Sequence, residues 1–338
     1  MMATENTNES KKPILEVQNL TVRFALRDGD LTAVQDASFE LFPGESLGVV
    51  GESGCGKSVT FLSVMRLIPM PPGIIEANRM RFDGFDVLSA SNREMRRIRG
   101  NKISMVFQDP MTSLNPVLTI GKQMEESIQL HLGLSGRALH MRCVSLLDKV
   151  GISAPEMRLK AYPHQMSGGI RQRIMIAMAL SCNPAVLLAD EPTTALDVTI
   201  QDQILQLIRA LTRDMGTATV LITHNLGAVA GTTDRIMVMY AGQIVEKATT
   251  PALFKDPRHP YTQGLLRSIP RVDRNSGKRL FSISGAPPDL LREKIRGCAF
   301  APRCELADDV CIENRPSLER LSPEHDVSCW KAADAKQQ

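Results

Sequence analysis

The chain has 338 residues, of which 43% are hydrophobic and 23% are charged, as in globular proteins with room for two folded units. Forty basic and 37 acidic residues leave a net charge of +3, which is too small to favour nucleic acid or an anionic membrane as a partner. The longest apolar runs, 174–180 and 185–189, fall short of the roughly 18 to 20 residues that a membrane-spanning helix needs. We therefore expect no such helix.

The N-terminal segment, residues 1–12, is polar and has no apolar stretch. This pattern predicts a disordered tail and no secretory leader. We therefore expect the protein to stay in the cytosol, where a reducing environment argues against disulfides among its seven cysteines.

The first half of the chain predicts strands followed by helices. Two β-rich runs, 14–24 and 31–42, flank a turn containing Asp28-Gly29 and predict an antiparallel hairpin. A short apolar strand over 46–50 leads into a glycine-rich loop and a helix. Residues 109–165 predict a helical insert, in which the amphipathic pattern over 125–150 predicts one long helix.

The second half alternates strands and helices and then changes character. Apolar runs at 186–189 and 219–223, separated by a helix over 201–215, indicate a parallel sheet with helical crossovers. A hairpin follows over 235–247, and prolines are frequent after it. The sequence thus predicts an α/β protein with one unit over 13–250 and a small, irregular, cysteine-rich unit over 251–338.

The loop after the strand 46–50 matches the pattern G-x-x-x-x-G-K-[ST] in the required strand–loop–helix context. Its residues are Gly51, Glu52, Ser53, Gly54, Cys55, Gly56, Lys57 and Ser58. We call residues 51–58 the predicted phosphate loop, because glycines let backbone N–H groups point at phosphate oxygens. Lys57 suits the β- and γ-phosphates, and the Ser58 hydroxyl suits Mg²⁺. We expect the cationic surroundings to lower the pKa of Cys55 and to expose its thiol to oxidation.

Polar side chains follow three other predicted strands, where ligands of parallel sheets collect. Asp190 follows an apolar run and suits Mg²⁺, and Glu191 suits orientation or deprotonation of an attacking water. His224 and Gln108 also follow strands, so we expect them near the γ-phosphate, with Gln108 contacting the metal or the water.

A second anion site is predicted where Ser167, Gly168 and Gly169 precede a helix, because the bare N–H groups of a helix start bind anions. The chain already has a phosphate loop, so this site suits a nucleotide held mainly by another subunit. A capped helix with no ligand is the alternative interpretation.

These motifs, in this order, resemble the ATP-binding cassette (ABC) ATPases over residues 14–250. The resemblance implies a P-loop NTPase fold with a mixed central sheet, an antiparallel β subdomain and a helical subdomain. It also implies a head-to-tail dimer in which the loop of one subunit and Ser167–Gly169 of the other enclose ATP.

The same resemblance extends the nucleotide site. It makes Asp197 part of the segment called the D-loop, His224 the switch histidine, and Phe24 the aromatic that stacks on adenine, although Phe24 also suits a strand core. Val59 joins the nucleotide contacts. Ile170 and Asn225 depart from the residues common in the family, Gln and Asp, and we expect phosphate contact to survive both changes.

Three further segments, 107–116, 190–197 and 259–262, resemble the ATPase subunits of oligopeptide and dipeptide importers. This implies a second, distinct ATPase subunit, two permeases, an extracytoplasmic peptide-binding protein and a position on the cytoplasmic face of the inner membrane. Import of nickel or glutathione, or a role outside transport, are the alternatives.

Four cysteines crowd the last part of the chain: Cys298, Cys304, Cys311 and Cys329. Four thiolates are enough for Zn²⁺ or for a [4Fe–4S] cluster. The absence of a Cys-x-x-Cys pair favours the cluster, which some relatives in this importer branch carry. Four reduced cysteines without metal are the alternative.

Overall fold

The computed structural model describes residues 12–109, 113–194, 196–269, 281–293 and 295–332. The predicted N-terminal tail lies outside these ranges, apart from Lys12, which is exposed. Within the described ranges, no helix combines the length and apolar character that crossing a membrane requires.

An antiparallel sheet begins the fold. Its strands are β1 (Leu15–Leu26), β2 (Gly29–Leu41), β4 (Gly73–Glu76), β5 (Arg79–Phe82) and β6 (Phe85–Asp86). The order is β2-β1-β5-β6, and β4 also pairs with β1. The predicted hairpin is present as β1 and β2, whose alternating apolar residues face the core on one side.

A larger sheet of eight strands forms the centre. Its strands are β3 (Ser46–Val50), β7 (Ile103–Val106), β8 (Val186–Asp190), β9 (Ala218–Thr223), β10 (Arg235–Tyr240), β11 (Gln243–Thr249), β12 (Glu319–Ser322) and β13 (His325–Val327). The order is β12-β13-β11-β10-β3-β9-β8-β7, and the five strands from β10 to β7 are parallel. Every residue of β8 and β9 is buried, as the continuous apolar runs predicted.

Helices make up most of the remaining regular structure of the described residues. They are α1 (Lys57–Val64), α2 (Asn92–Ile98), α3 (Ile120–Leu132), α4 (Gly136–Lys149), α5 (Pro155–Leu159), α6 (Gly168–Ala179), α7 (Val198–Met215), α8 (Leu226–Val229), α9 (Thr250–Lys255), α10 (Pro260–Arg267) and α11 (Asp309–Glu313). Alternate residues of β8 divide the core: Leu187 and Ala189 pack on the helical side, and Val186 and Leu188 pack towards the antiparallel sheet.

The predicted single helix over 125–150 is wrong. The chain forms α3 and α4 instead, because Gly133 adopts a left-handed conformation (φ 66°) and ends α3. Ser135 then begins α4. The amphipathic pattern continues across this break, since both helices bury their apolar faces in the same core.

The C-terminal part packs on the central sheet. β13 pairs with β11, and the buried Glu246 carboxylate of β11 contacts His325 of β13 at 2.6 Å. The rings of Tyr261 and Phe300 pack against Tyr240 of β10, with centroids 4.7 and 5.3 Å away. Tyr261, Ala299 and Phe300 thus belong to the core of the central sheet.

Candidate functional site

The predicted phosphate loop joins β3 to α1, as the sequence predicts, and its curl requires glycine. Gly54 and Gly56 have φ of +80° and +96°, a region that residues with a Cβ rarely adopt. A Cβ at Gly56 would lie 2.4 Å from the carbonyl oxygen of Ala33, and one at Gly51 would lie 2.2 Å from that of Met239. The neighbouring strands therefore press the loop into a tight turn.

Lys57 lies inside this turn. Its side chain is buried, and the ammonium donates to the carbonyl oxygens of Gly51 (2.8 Å) and Glu52 (2.9 Å). Ser53 and Gly54, at the tip of the loop, are exposed. The ammonium of Lys57 thus lies inside the loop, and the backbone at the tip of the loop is exposed to solvent.

The expectation of a low pKa for Cys55 is wrong. Burial raises the pKa of this thiol, and the nearby charge of Lys57 offsets the effect only in part. The side chain lies below the loop, with Sγ 3.8 Å from Lys57 Nζ and 5% of the residue exposed. Cys55 therefore packs as a small apolar group and is not poised for oxidation.

Ser58 and Asp190 meet across 132 residues of sequence. The Ser58 hydroxyl donates to Oδ1 of Asp190 at 2.9 Å, where the start of α1 faces the end of β8. Burial raises the pKa of Asp190, the hydrogen bond from Ser58 lowers it, and the charge of Glu191 raises it again. A hydroxyl beside a carboxylate supplies the oxygen donors that Mg²⁺ prefers, so these residues fit that ion.

Three side chains converge on the carboxylate of Glu191. Gln108 donates from Nε2 to Oε2 at 3.0 Å, and Nδ1 of His224 lies 3.2 Å from Oε1. Thr194 donates its hydroxyl to Oε2 at 3.0 Å. The backbone of Glu191 is left-handed (φ 43°), which turns its side chain away from the line of β8. The structure thus brings together the strand-end residues Gln108, Glu191 and His224.

The second predicted anion site lies at the start of α6. Ser167 is the N-cap residue, and its exposed hydroxyl makes no capping bond to the helix. Ile170, a departure from the family pattern, is partly buried and packs on the core. Asn225, the other departure, accepts a hydrogen bond from the N–H of Gly227 at 2.9 Å and begins α8.

Three other predicted contact residues, Asp197, Phe24 and Val59, lie at helix and strand positions. Asp197 is the N-cap of α7 and accepts from the N–H of Ile200 at 3.0 Å. Ala195, its neighbour in the predicted D-loop, lies outside the described residues. Phe24 is partly buried in β1, opposite Gly73 of β4, and Val59 is partly buried in α1.

The four C-terminal cysteines are free thiols in one neighbourhood. The N–H of Cys298 donates to the carbonyl oxygen of Cys311 at 2.8 Å, and Cys304 ends a short 3₁₀ turn, Ala301–Arg303. Burial, followed by the charges of the other three thiols, raises the pKa of Cys329 to about 12. Across the described ranges, no three His, Cys, Asp or Glu side chains are grouped to hold a metal ion.

The sequence motifs assign no contact to Thr194, Tyr261 or Arg303, although the segments 190–197 and 259–262 include the first two. Thr194 stands three residues after Glu191, a short-range spacing that could have indicated its hydrogen bond. Tyr261 and Arg303 contact Glu52 of the predicted phosphate loop from 209 and 251 residues away. No local pattern marks contacts at such separations.

Two family profiles match this chain in succession. Residues 34–194 match the ABC transporter family, and residues 245–311 match the oligopeptide/dipeptide transporter C-terminal region. The solved dimeric ATP-binding cassette MJ0796, in a post-hydrolysis state with ADP and Pi, aligns with a TM-score of 0.62. The alignment covers 70% of this chain and 98% of that one at 26% identity. The predicted ATP-binding cassette fold is thus confirmed.

Curated relatives match nearly the whole length. The dipeptide transport ATP-binding protein DppD of Bacillus subtilis is 50% identical over 317 residues, which cover 94% of each chain. The oligopeptide transport ATP-binding protein OppD of Salmonella typhimurium is 46% identical over 337 residues, which cover 99% of each. The chain therefore belongs to the ABC transporter ATPases, in the oligopeptide and dipeptide transporter branch of that family.

Proposed function

We propose that this chain is the ATP-hydrolysing subunit of an importer of oligopeptides or dipeptides. The relatives named for oligopeptide and dipeptide transport support this substrate class, as does the match of residues 245–311. Two permeases and a peptide-binding protein complete the machine. The ATPase dimer is a heterodimer with a second ABC subunit, and it lies on the cytoplasmic face of the inner membrane.

The observation that carries the chemistry is the set of contacts around Glu191. Its carboxylate accepts from Gln108 and Thr194 and lies beside His224, so both of its oxygens have defined directions. A carboxylate held this way can orient a water and accept its proton. We assign Glu191 as the base, with His224 and Gln108 beside the attacked γ-phosphate.

The predicted phosphate loop supplies binding. Its N–H groups and the ammonium of Lys57 hold the phosphates of ATP, while Ser58, Asp190 and Gln108 hold Mg²⁺. When bound, Mg²⁺ neutralises charge on the β- and γ-phosphates. The Ser58–Asp190 hydrogen bond of 2.9 Å supports this assignment, because it brings two oxygen donors together at the end of β8.

The dimer interface completes each nucleotide site. We assign Ser167, Gly168 and Gly169 to contacts with the ATP held by the partner subunit, with Asp197 nearby. The exposed hydroxyl of Ser167, which makes no capping bond, supports this role, since it remains available as a donor. Phe24 stacks on the adenine, and Val59 contacts the nucleotide beside Ser58.

The C-terminal extension, residues 251–338, carries the second proposed group, a [4Fe–4S] cluster on Cys298, Cys304, Cys311 and Cys329. The thiols lie near enough to raise one another's pKa but are not grouped around one ion. A cluster binds each thiolate at a different iron atom and so accepts wider spacing than Zn²⁺ does. Anaerobic purification followed by iron, sulfide and zinc analysis tests this proposal: iron and sulfide support it, and zinc or no metal contradicts it.

Reconstitution tests the transport proposal. The full chain is purified with its membrane partners and placed in proteoliposomes with the peptide-binding protein, and uptake of labelled peptides, nickel and glutathione is compared. We expect ATP-dependent uptake of peptides and none with Lys57→Ala. Uptake of nickel or glutathione alone, or recovery without permeases, contradicts the peptide assignment.

A further inference from the structure

Glu52, the second residue of the predicted phosphate loop, is held by the C-terminal part of the chain. The guanidinium of Arg303 donates to both carboxylate oxygens, from Nη1 to Oε2 at 2.7 Å and from Nη2 to Oε1 at 3.0 Å. The backbone N–H of Glu52 donates to the hydroxyl oxygen of Tyr261 at 2.8 Å. Side chain and backbone of one loop residue are therefore both tied to residues more than 200 positions away.

The Arg303 side chain is rigidly placed. Only 5% of it is exposed, and Nε donates to the carbonyl oxygen of Ser284 at 2.9 Å. Nη1 also donates to the hydroxyl of Tyr240 at 3.2 Å, and the guanidinium lies 5.7 and 5.9 Å from the ring centres of Tyr240 and Phe300. The Arg303 side chain is buried and that of Glu52 is 27% exposed, so this two-bonded pair is stronger and more directional than a fully exposed ion pair.

The Tyr261 side chain, which accepts the hydrogen bond from the Glu52 N–H, is also rigidly placed. Tyr261 is fully buried, with its ring 4.7 Å from that of Tyr240 and 5.4 Å from that of Phe300. Its backbone N–H donates to Nδ1 of the buried His259 at 3.0 Å, at the start of α10. The hydroxyl oxygen that receives the Glu52 N–H therefore has little freedom to move.

Two physical effects link this contact to ATP. A loop that is already curled loses less conformational entropy when it binds phosphates. The Glu52 carboxylate is also a negative charge within a loop that receives a polyanion, and the guanidinium of Arg303 neutralises it. Loss of Arg303 removes both benefits, whereas loss of the Glu52 charge removes only the tether.

We propose that Arg303 and Tyr261 are positioning residues that hold the phosphate loop in its ATP-binding shape, so that the C-terminal extension controls nucleotide affinity. This inference rests on the proposed role of residues 51–58 in ATP binding. Arg303 stands directly before Cys304, so the loop and the cysteine-rich segment are joined through one ion pair.

Full-length variants test this inference through equilibrium binding of Mg²⁺-ATP and steady-state hydrolysis. Arg303→Gln should raise Kd and KM about tenfold while kcat at saturating ATP stays within about twofold. Glu52→Gln should have a smaller effect, and the double variant should bind ATP better than Arg303→Gln alone, because the unpaired charge is gone. Arg303→Lys should lie between Arg303→Gln and the unchanged protein.

The matched control is Arg320→Gln, which breaks an exposed ion pair with Asp326 in the same extension and should leave Kd and KM unchanged. Tyr261→Phe keeps the ring and removes only the hydroxyl, so it decides the outcome if Arg303→Gln fails to fold. Unchanged Kd in both Arg303→Gln and Tyr261→Phe overturns the inference, as does an equal rise with Arg320→Gln. If Lys57→Ala also binds ATP normally, the proposed nucleotide site itself fails.

Discussion

Replacement of Glu191 by glutamine changes one charge at the centre of the site and almost nothing else. Glutamine has the same shape, and its carbonyl oxygen can still accept from Gln108 or Thr194 at the position of Oε2. The other position becomes an NH₂ group, which faces His224 and can no longer accept a proton. The substitution therefore removes proton acceptance and keeps packing.

The proposed role of Glu191 as the base sets the expected loss of hydrolysis rate. General base catalysis contributes about 10²- to 10⁴-fold to a rate, so we expect kcat for ATP hydrolysis to fall by about that factor. The proposed ATP contacts, including Lys57 and the loop glycines, are untouched. Kd for Mg²⁺-ATP should therefore stay within about threefold, since the lost interaction acts in the transition state.

The assay is phosphate release at saturating ATP, with Kd measured separately. Glu16→Gln is the matched control, because Glu16 is similarly shielded (17% exposed against 13% for Glu191) and also faces a basic partner, Arg79. It lies on β1 and should leave kcat unchanged. Hydrolysis by Glu191→Gln within about tenfold of the unchanged protein would refute the assignment of Glu191 as the base.

Three further predictions concern loop shape, pH and the C-terminal hairpin. Gly56→Ala should destabilise the fold by about 1–3 kcal/mol and weaken ATP binding. Gly84 is also left-handed but has open space around it, so Gly84→Ala should leave ATP binding unchanged. Equal losses of ATP binding in the two variants would contradict this prediction. Burial lowers the pKa of His259 to about 4, from about 6.5 in the unfolded chain, so the unfolded state binds this proton first as pH falls. About 3 kcal/mol of stability should be lost between pH 6.5 and 4, and His259→Asn should lack this component in urea unfolding at several pH values; an unaltered pH profile would argue against it. His325→Ala should cost about 1–3 kcal/mol in denaturant unfolding, because the buried Glu246 carboxylate loses the imidazole and keeps the N–H groups of Arg258 and His259, and a loss below about 0.5 kcal/mol would show that the contact is not needed.

The strand ends were predictable because their signals are local. The apolar runs that became β8 and β9 are buried on both faces, and such strands have a continuous apolar sequence. The loop 51–58 needs glycines at particular positions of one turn, so its pattern is visible without any knowledge of the fold. The meeting of Gln108, Glu191 and His224 followed, because parallel strands end at the same edge.

Other features depend on surroundings that a local pattern does not contain. The end of α3 is an exception, because Gly133 is a local stop signal, but the amphipathic period runs through it and conceals the break. Cys55 has a lysine two residues away, yet its burial between strand and helix outweighs that charge. The pKa of a side chain depends on all the groups around it and on its burial, and residues adjacent in sequence are only some of those groups.

By itself, the sequence predicted the cassette motifs, the strands and helices that carry them, and the strand-end side chains Gln108, Asp190, Glu191 and His224. Each of these depends on spacing within a turn or on apolar periodicity within one element, and both are local properties of the sequence. Only the tertiary structure decided that β13 extends the central sheet and that Arg303 and Tyr261 hold Glu52. Those contacts join residues 77 to 251 positions apart, and they form because burial of an aromatic cluster brings the C-terminal extension against the loop.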